Sequence, residues 1–152
     1  MNNKPARPDG QFILIVDDEP TARTLLRLIL VRAGFNVVEA TNGFEALDRL
    51  EETAVDLVLL DVMMPGMSGI EVCEKIRADE KTAVVPILLL SAKTDALSIR
   101  RGLSAGADKY LTKPISPDIL LDHLEKALNG LENKNGRSLP LSYPHSAKLT
   151  SL

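Results

Sequence analysis

Residues that define several common function classes are scarce in this chain. It has one cysteine, Cys73, and two histidines far apart, His123 and His145. No spacing of cysteine and histidine suggests a zinc site. A lone cysteine cannot form an internal disulfide, so Cys73 is interpreted as a small core residue in a protein of the reducing cytoplasm. The predicted localisation is therefore cytoplasmic.

An excess of positive charge and long apolar runs are also lacking. The net charge is −3, so no basic field for direct nucleic-acid binding is predicted. No uninterrupted apolar run approaches the roughly 20 residues that cross a bilayer. The first eleven residues contain no apolar run and do not form a signal peptide. The sequence therefore predicts neither nucleic acid nor membrane as a partner.

Short apolar runs, many of them β-branched, alternate with segments of helical periodicity. The five predicted strands cover residues 12–16, 35–40, 56–60, 86–90 and 109–112. A helical pattern follows each of them, which indicates a parallel sheet with right-handed crossovers and helices on both faces. We predict one α/β domain over residues 11–130, between a flexible leader at 1–10 and a polar, disordered tail or linker stub at 131–152.

Local signals set the predicted helix ends and inner faces. Ser68 and Glu71 form a capping box before the third helix, and Gly130 is predicted to end the fifth. Leu25 is assigned to the inner face of the first helix and Phe44 to that of the second.

Polar residues follow four of the five strands. Asp17 and Asp18 follow the first strand, Asp61 the third, Ser91 the fourth and Lys113 the fifth. Ligands of such sheets bind beyond the carboxyl ends of the strands, so these side chains are expected to meet at one rim. Taken singly, the acids suit a helix dipole or a turn, Ser91 a cap and Lys113 a solvated surface.

The chemistry of this set favours phosphoryl transfer. Three clustered carboxylates repel one another and need a cation, and oxygen ligands without histidine or cysteine suit Mg²⁺, with Mn²⁺ also acceptable. Lys113 and Ser91 suit phosphoryl oxygens as a positive charge and a hydroxyl donor. Asp61, where a buried strand reaches the surface, is the candidate nucleophile.

Residues 12–128 resemble the receiver domain of bacterial two-component response regulators, a flavodoxin-like (βα)5 fold with strand order 2-1-3-4-5. The resemblance is carried by motifs in a fixed order along the chain: Val16-Asp17-Asp18-Glu19, Leu60-Asp61-Val62-Met63-Met64-Pro65-Gly66, Leu90-Ser91-Ala92, Gly106-Ala107-Asp108 and Tyr110-Leu111-Thr112-Lys113-Pro114. Their combination is highly specific.

The resemblance implies that Asp61 is phosphorylated by a sensor histidine kinase or a histidine phosphotransfer protein. Mg²⁺ would be held by Asp18, Asp61 and the backbone carbonyl of Met63, with Asp17 acting through water. The chain would be a signalling phosphoacceptor that catalyses only its own phosphorylation and dephosphorylation, and not an enzyme acting on other substrates.

The resemblance also assigns the remaining residues of the site. Lys113 and Ser91 would bind the phosphoryl group, and the Lys113–Pro114 bond would be cis. Tyr110 would be the switch aromatic that follows Ser91 and changes the face formed by the fourth helix, fifth strand and fifth helix.

Two departures from patterns of the family carry further expectations. Met63 and Lys93 occupy the positions that influence the attacking water, and neither side chain orients water as an amide or an acid does, so a long-lived phosphoryl group is expected. Ile119 and His123 stand where dimerising relatives have an acid and an arginine. We therefore expect a monomer or a weak dimer that signals to a separate protein.

Three alternatives are weighed. A receiver that binds partners without turning over phosphate would be expected to lose some of the five site residues, which are intact here. The chain could be the front end of a larger regulator whose output domain is missing, since only about twenty residues follow the last predicted helix. A phosphatase resembling the haloacid dehalogenases needs a second aspartate at Met63 and is set aside.

Overall fold

The computed structural model describes residues 10–134, with side chains described through residue 130. Most of the predicted leader and most of the predicted tail lie outside these residues, so the predicted domain boundaries remain untested. Five strands and five helices alternate: β1 (Phe12–Val16), α1 (Pro20–Arg32), β2 (Asn36–Ala40), α2 (Gly43–Glu52), β3 (Leu57–Asp61), α3 (Gly69–Ala78), β4 (Ile87–Ser91), α4 (Ala96–Ser104), β5 (Lys109–Thr112) and α5 (Pro117–Lys134).

The sheet is entirely parallel, with the order β2-β1-β3-β4-β5, which confirms the predicted fold and the edge position of β2. The central strands β3 and β4 are buried at every position because helices cover both faces. Alternate residues of the strands point to opposite faces of the sheet and pack in two separate cores. One packs against α2 and α3, and the other packs against α1 and α5.

The order reverses between β1 and β3, whose carboxyl ends therefore flank the crevice where ligands of such sheets bind. Strands β3 and β4 each lie one residue later than predicted, because Asp61 and Ser91 continue the ladder opposite Leu90 and Thr112. Among residues 10–134, no helix is long and apolar enough to cross a membrane.

Helix α3 begins at the predicted capping box. The Ser68 hydroxyl accepts a hydrogen bond from the Glu71 amide, and the Glu71 carboxylate accepts one from the Ser68 amide. These two bonds satisfy amides that a helix start otherwise exposes without partners. The cap fixes the start of α3, at the end of the loop that follows Asp61.

Three predicted details of the helices are wrong. Leu25 is 57% exposed and Phe44 is 63% exposed, because the inner face of α1 is centred on Leu26 and Leu30, and that of α2 on Ala46. Helix α5 continues past Gly130 to Lys134.

Candidate functional site

The short β1–α1 connection places two adjacent aspartates at the rim. Asp17 is 2% exposed, and its amide donates to the Ala40 carbonyl at 3.2 Å, which extends the pairing of β1 and β2 by one bond. The Asp17 carboxylate accepts a hydrogen bond from the Glu19 amide at 2.9 Å. Asp18 is exposed. One carboxylate is therefore fixed in the protein while the next one faces solvent.

Asp61 ends β3 and is only 7% exposed. The Gly69 amide donates to the Val62 carbonyl at 3.0 Å, which draws the start of α3 against this strand end. A Cβ atom at residue 69 would overlap the Asp61 carbonyl oxygen and lie 2.8 Å from the Val62 Cα atom. Glycine is required at this position so that the helix can approach the backbone that carries Asp61.

Lys113 joins the two buried carboxylates. Its Nζ atom lies 3.2 Å from Asp17 Oδ2 and 3.2 Å from Asp61 Oδ1. The Lys113 amide donates to the Ser91 carbonyl at 2.8 Å, which ties the β5–α5 connection to the end of β4. Ser91 is fully buried, and its hydroxyl accepts a hydrogen bond from the Lys93 amide at 3.1 Å.

Burial and charge act against each other on these groups. Burial raises the pKa of the Asp61 carboxyl, which the Lys113 ammonium lowers again in part, while Asp17 and Asp18 add to the rise. Burial alone would lower the pKa of Lys113, but the charges of Asp61 and Asp17 raise it above its ordinary value. Lys113 therefore stays protonated at neutral pH and compensates part of the negative charge of the carboxylates.

The donor set fits a hard divalent cation. Carboxylate oxygens of Asp17, Asp18 and Asp61 lie within 4.8 Å of one another. Each offers oxygen alone, and Asp18 is open to solvent, so a cation held there would keep bound waters, as Mg²⁺ does. The single positive charge of Lys113 offsets only part of the three negative ones.

Three further predictions concern Met63, Tyr110 and the Lys113–Pro114 bond. The Met63 side chain is 57% exposed. The Tyr110 hydroxyl donates to the Lys93 carbonyl at 2.9 Å, so Lys93 is bonded through its amide to Ser91 and through its carbonyl to Tyr110. The Lys113–Pro114 peptide bond is cis, as the resemblance implied.

Two contributors were not predicted. The Arg23 guanidinium donates to the Asp17 carbonyl at 2.8 Å and to Glu39 at 3.0 Å. The edge strand β2, to which the sequence assigned no part in the site, thus supports it through Glu39. The only sequence signal was the position of Arg23, one helical turn after Glu19, since nothing in the local pattern marks Glu39 as its partner.

Fold, rim and acidic cluster together define a class of signalling domain. The family model described as the response regulator receiver domain matches residues 13–125, and the chain belongs to this family. Receiver domains are signalling domains. The chain is also similar to individual regulators of known name.

One relative is the DNA-binding response regulator MtrA of Mycolicibacterium smegmatis, 40% identical over 131 residues, which are 86% of this chain and 56% of that protein. Another is the alkaline phosphatase synthesis transcriptional regulatory protein PhoP of Bacillus subtilis, 47% identical over 105 residues, 69% of this chain and 43% of that protein. The chain spans about half the length of the curated relatives it matches.

Solved structures agree with the fold. A chemotaxis protein of Vibrio cholerae matches with a TM-score of 0.75 and 32% identity, covering 78% of this chain and 98% of that one. The receiver domain of a sensor histidine kinase from Pseudomonas aeruginosa matches with a TM-score of 0.74 and 31% identity, covering 79% and 98%. In that structure a magnesium ion is coordinated in the active-site cleft.

Proposed function

We propose that the chain receives a phosphoryl group on Asp61, in a Mg²⁺-dependent reaction, from a sensor histidine kinase or a histidine phosphotransfer protein. The observation that carries this proposal is the meeting of three carboxylates within 4.8 Å, with Lys113 Nζ 3.2 Å from both Asp17 and Asp61. A structural ion pair needs one acid for one lysine. Here three acids cluster beside one lysine, and one of them, Asp18, is exposed to solvent.

Asp18, Asp61 and the main-chain carbonyl of Met63 would hold the metal, with Asp17 acting through water. Mn²⁺ suits the same oxygen set. When bound, the ion neutralises charge on the phosphoryl oxygens and so lowers the repulsion between them and the carboxylates. Asp17 is already oriented by the Glu19 amide, so little rearrangement is needed on its side of the site.

A carboxylate oxygen of Asp61 would attack the phosphorus atom while the bond from phosphorus to the donor's imidazole nitrogen breaks. The other nitrogen of the phosphorylated imidazole ring would carry a proton when the bond breaks, so the products are an aspartyl phosphate and a neutral imidazole. Lys113 would turn from the carboxylate to a phosphoryl oxygen, which its three donors permit. The Ser91 hydroxyl, which here accepts from the Lys93 amide, would donate to another phosphoryl oxygen. The chain's chemistry would be limited to its own phosphorylation and dephosphorylation.

The output would pass through the surface formed by α4, β5 and α5. Ser91 and Tyr110 are both bonded to the main chain of Lys93, so a movement of Ser91 toward a phosphoryl group would act on the loop that Tyr110 holds. This supports a two-state switch biased by local charge. The recipient would be a separate protein or an output domain. Binding of DNA is stated in the name of MtrA, and we assign none to residues 11–130.

The test is phosphorylation by acetyl phosphate, read by intact mass as the gain of one phosphoryl group. Wild type is expected to label with Mg²⁺ and not with EDTA. Asp61→Asn should lose stable labelling and keep its fold, because only the nucleophile changes. Asp48→Asn, on the exposed surface of α2, is the matched control and should label as wild type does.

Full labelling of Asp61→Asn would show that Asp61 is not the nucleophile. The second candidate is a module that binds partners without phosphoryl turnover. It predicts no labelling of wild type and no effect of Mg²⁺ on its melting temperature. A bound ion stabilises the folded protein by mass action, so a Mg²⁺-dependent rise in that temperature favours the proposed site.

A further inference from the structure

The Arg23 side chain connects the β1–α1 loop to strand β2 beside the acidic cluster. Its Nη1 atom donates to the Asp17 main-chain oxygen at 2.8 Å, and its Nε atom donates to Glu39 Oε1 at 3.0 Å. The side chain is 16% exposed. Arg27 contacts the other oxygen of Glu39 at 2.9 Å, is 40% exposed and makes no hydrogen bond to Asp17 within the described part of the chain. Two arginines thus share one carboxylate, but only one of them reaches the site.

The bond from Arg23 falls where the backbone has few other restraints. Strand β1 ends at Val16, whose ladder partners are Ala40 of β2 and Leu60 of β3. Beyond the bond from the Asp17 amide to Ala40, the chain must turn within three residues to start α1 at Pro20. This segment carries two adjacent carboxylates that repel Asp61. The Arg23 guanidinium binds the Asp17 carbonyl, which lies between the last backbone bond to β2 and the Asp18 side chain.

We propose that Arg23 is a positioning residue for the metal site. It fixes the Asp17 carbonyl and with it the direction in which Asp17 and Asp18 present their carboxylates, and Glu39 of β2 fixes the guanidinium. The planar fork of arginine is suited to this because it donates to the carbonyl and to Glu39 at fixed angles, which a lysine ammonium on a flexible stem does not do. The inference rests on the proposed binding of Mg²⁺.

Charge and positioning predict opposite effects of removing Arg23. If the guanidinium acts only through its charge, its loss makes the site more negative, and Mg²⁺ should bind more tightly. If it positions the carboxylates, its loss should weaken Mg²⁺ binding despite the gain in negative charge. Loss of residues that orient metal ligands typically costs about 10- to 100-fold in affinity.

The experiment measures Mg²⁺ dissociation constants by calorimetry on Arg23→Gln, Arg23→Lys and Arg27→Gln, each checked for a folded melting transition. Arg27→Gln is the matched control, since it removes the same charge from the same Glu39 and leaves the bond to Asp17. We expect about tenfold weaker binding for Arg23→Gln, incomplete recovery for Arg23→Lys, and binding equal to or tighter than wild type for Arg27→Gln.

A second readout needs no metal. The Glu19 amide donates to the Asp17 carboxylate at 2.9 Å, so its hydrogen exchange in EDTA reports whether that carboxylate keeps its orientation. Exchange at Glu19 should accelerate several-fold in Arg23→Gln and stay unchanged in Arg27→Gln. Tighter Mg²⁺ binding by Arg23→Gln, or equal effects of both glutamine variants, would overturn the inference. Failure of wild type to bind Mg²⁺ would instead refute the proposed function, while the exchange comparison would still test the positioning.

Discussion

Asp61 is held in a state that costs folding energy. It is 7% exposed at the end of a buried strand, and the cation beside it, Lys113, is shared with Asp17. A carboxylate in such a place is destabilising unless its charge is compensated. A cation bound beside Asp61 would compensate the negative charge that Lys113 leaves uncompensated. The strain on Asp61 is therefore the physical basis of its proposed role.

The pH dependence of stability tests this directly. Burial raises the pKa of Asp61 in the folded protein, so ionisation of this carboxyl costs stability as the pH rises above the ordinary value for aspartate. The cost is complete above the folded-state pKa and absent below about pH 4. We expect Asp61→Asn to melt above wild type at pH 7 in EDTA, with the difference shrinking toward pH 4.

Asp48→Asn is the control for this series, because it removes an exposed carboxylate of α2 that is not part of the acidic cluster. Melting followed by circular dichroism from pH 4 to pH 8 is the measurement. A melting temperature of Asp61→Asn below that of wild type at every pH would mean that the Lys113 ion pair stabilises the fold more than burial of the charge destabilises it.

The lifetime of the phosphoryl group is a second prediction at this scale. Met63 is 57% exposed and Lys93 is also exposed, so both side chains face the solvent from which a hydrolytic water would come. Neither accepts a hydrogen bond strongly enough to orient that water. The double variant Met63→Asn/Lys93→Glu should lose its phosphoryl group several-fold faster than wild type, as followed by intact mass after removal of the donor. Equal rates would show that these positions do not control hydrolysis here.

The sequence predicted which side chains meet because the end of each parallel strand is visible as the point where an apolar run stops. Asp17, Asp18, Asp61 and Lys113 needed no other information. Arg23 could not be found in this way. Its partners are a main-chain oxygen and an acid on another strand, and the pairing depends on the register of β1 and β2.

Among the secondary-structure elements, helix faces were harder to predict than strand ends. The apolar face that the helical period predicts is wider than the face that is buried against the sheet. Leu25 and Phe44 therefore match the apolar period but remain exposed. Gly130 is a residue type that often ends helices, but it does not adopt the left-handed conformation of such an end. The glycines with positive φ among residues 10–134 are Gly10, Gly34, Gly66 and Gly106, so Gly130 is not a left-handed cap. Leu131 and Glu132, which follow it, favour a helix.

Two glycines in helices should therefore respond in opposite ways to alanine. In α4, a Cβ atom at Gly102 would lie 2.7 Å from Leu89 Cδ1 and 2.8 Å from Tyr110 Cδ2. Gly102→Ala should cost about 1–3 kcal/mol by overpacking. In α5, apart from the neighbouring backbone of the helix itself, a Cβ atom at Gly130 would meet no atom within 4 Å among the described residues. Gly130→Ala should therefore stabilise by about 0.5–1 kcal/mol through helix propensity.

Urea unfolding of both variants at equal protein concentration measures these free energies. Because Gly102 packs on the ring of Tyr110, Gly102→Ala should also change the environment of that ring, which tyrosine fluorescence or proton chemical shifts report. A Gly102→Ala protein as stable as wild type, with an unchanged Tyr110 signal, would mean that α4 adjusts its position on the sheet at no cost.

On the scale of the whole molecule, the sheet separates the acidic cluster from the proposed output surface. The acidic cluster lies at the carboxyl ends of β1 and β3, whereas the surface of α4, β5 and α5 lies at one side of the sheet. That surface carries three large apolar side chains that are about half exposed: Leu97 at 52%, Leu103 at 45% and Ile119 at 53%. Their dispersal over two helices is compatible with contact to a partner, and single exposed apolar residues are also common on monomers.

The assembly state of the activated protein is the last prediction. The charge pair expected of dimerising receivers is replaced by Ile119 and His123, and burial together with Lys109 lowers the pKa of His123, so at neutral pH this position carries little charge. We expect wild type to remain monomeric or weakly dimeric with beryllofluoride and Mg²⁺, as measured by light scattering over a concentration series. The Ile119→Glu variant, and Phe44→Glu on α2 as its control, should have the same assembly state in solution as wild type. A tight activated dimer that Ile119→Glu dissociates and Phe44→Glu does not would place a dimer interface on the α5 surface, while a dimer that survives both would place it elsewhere on the domain.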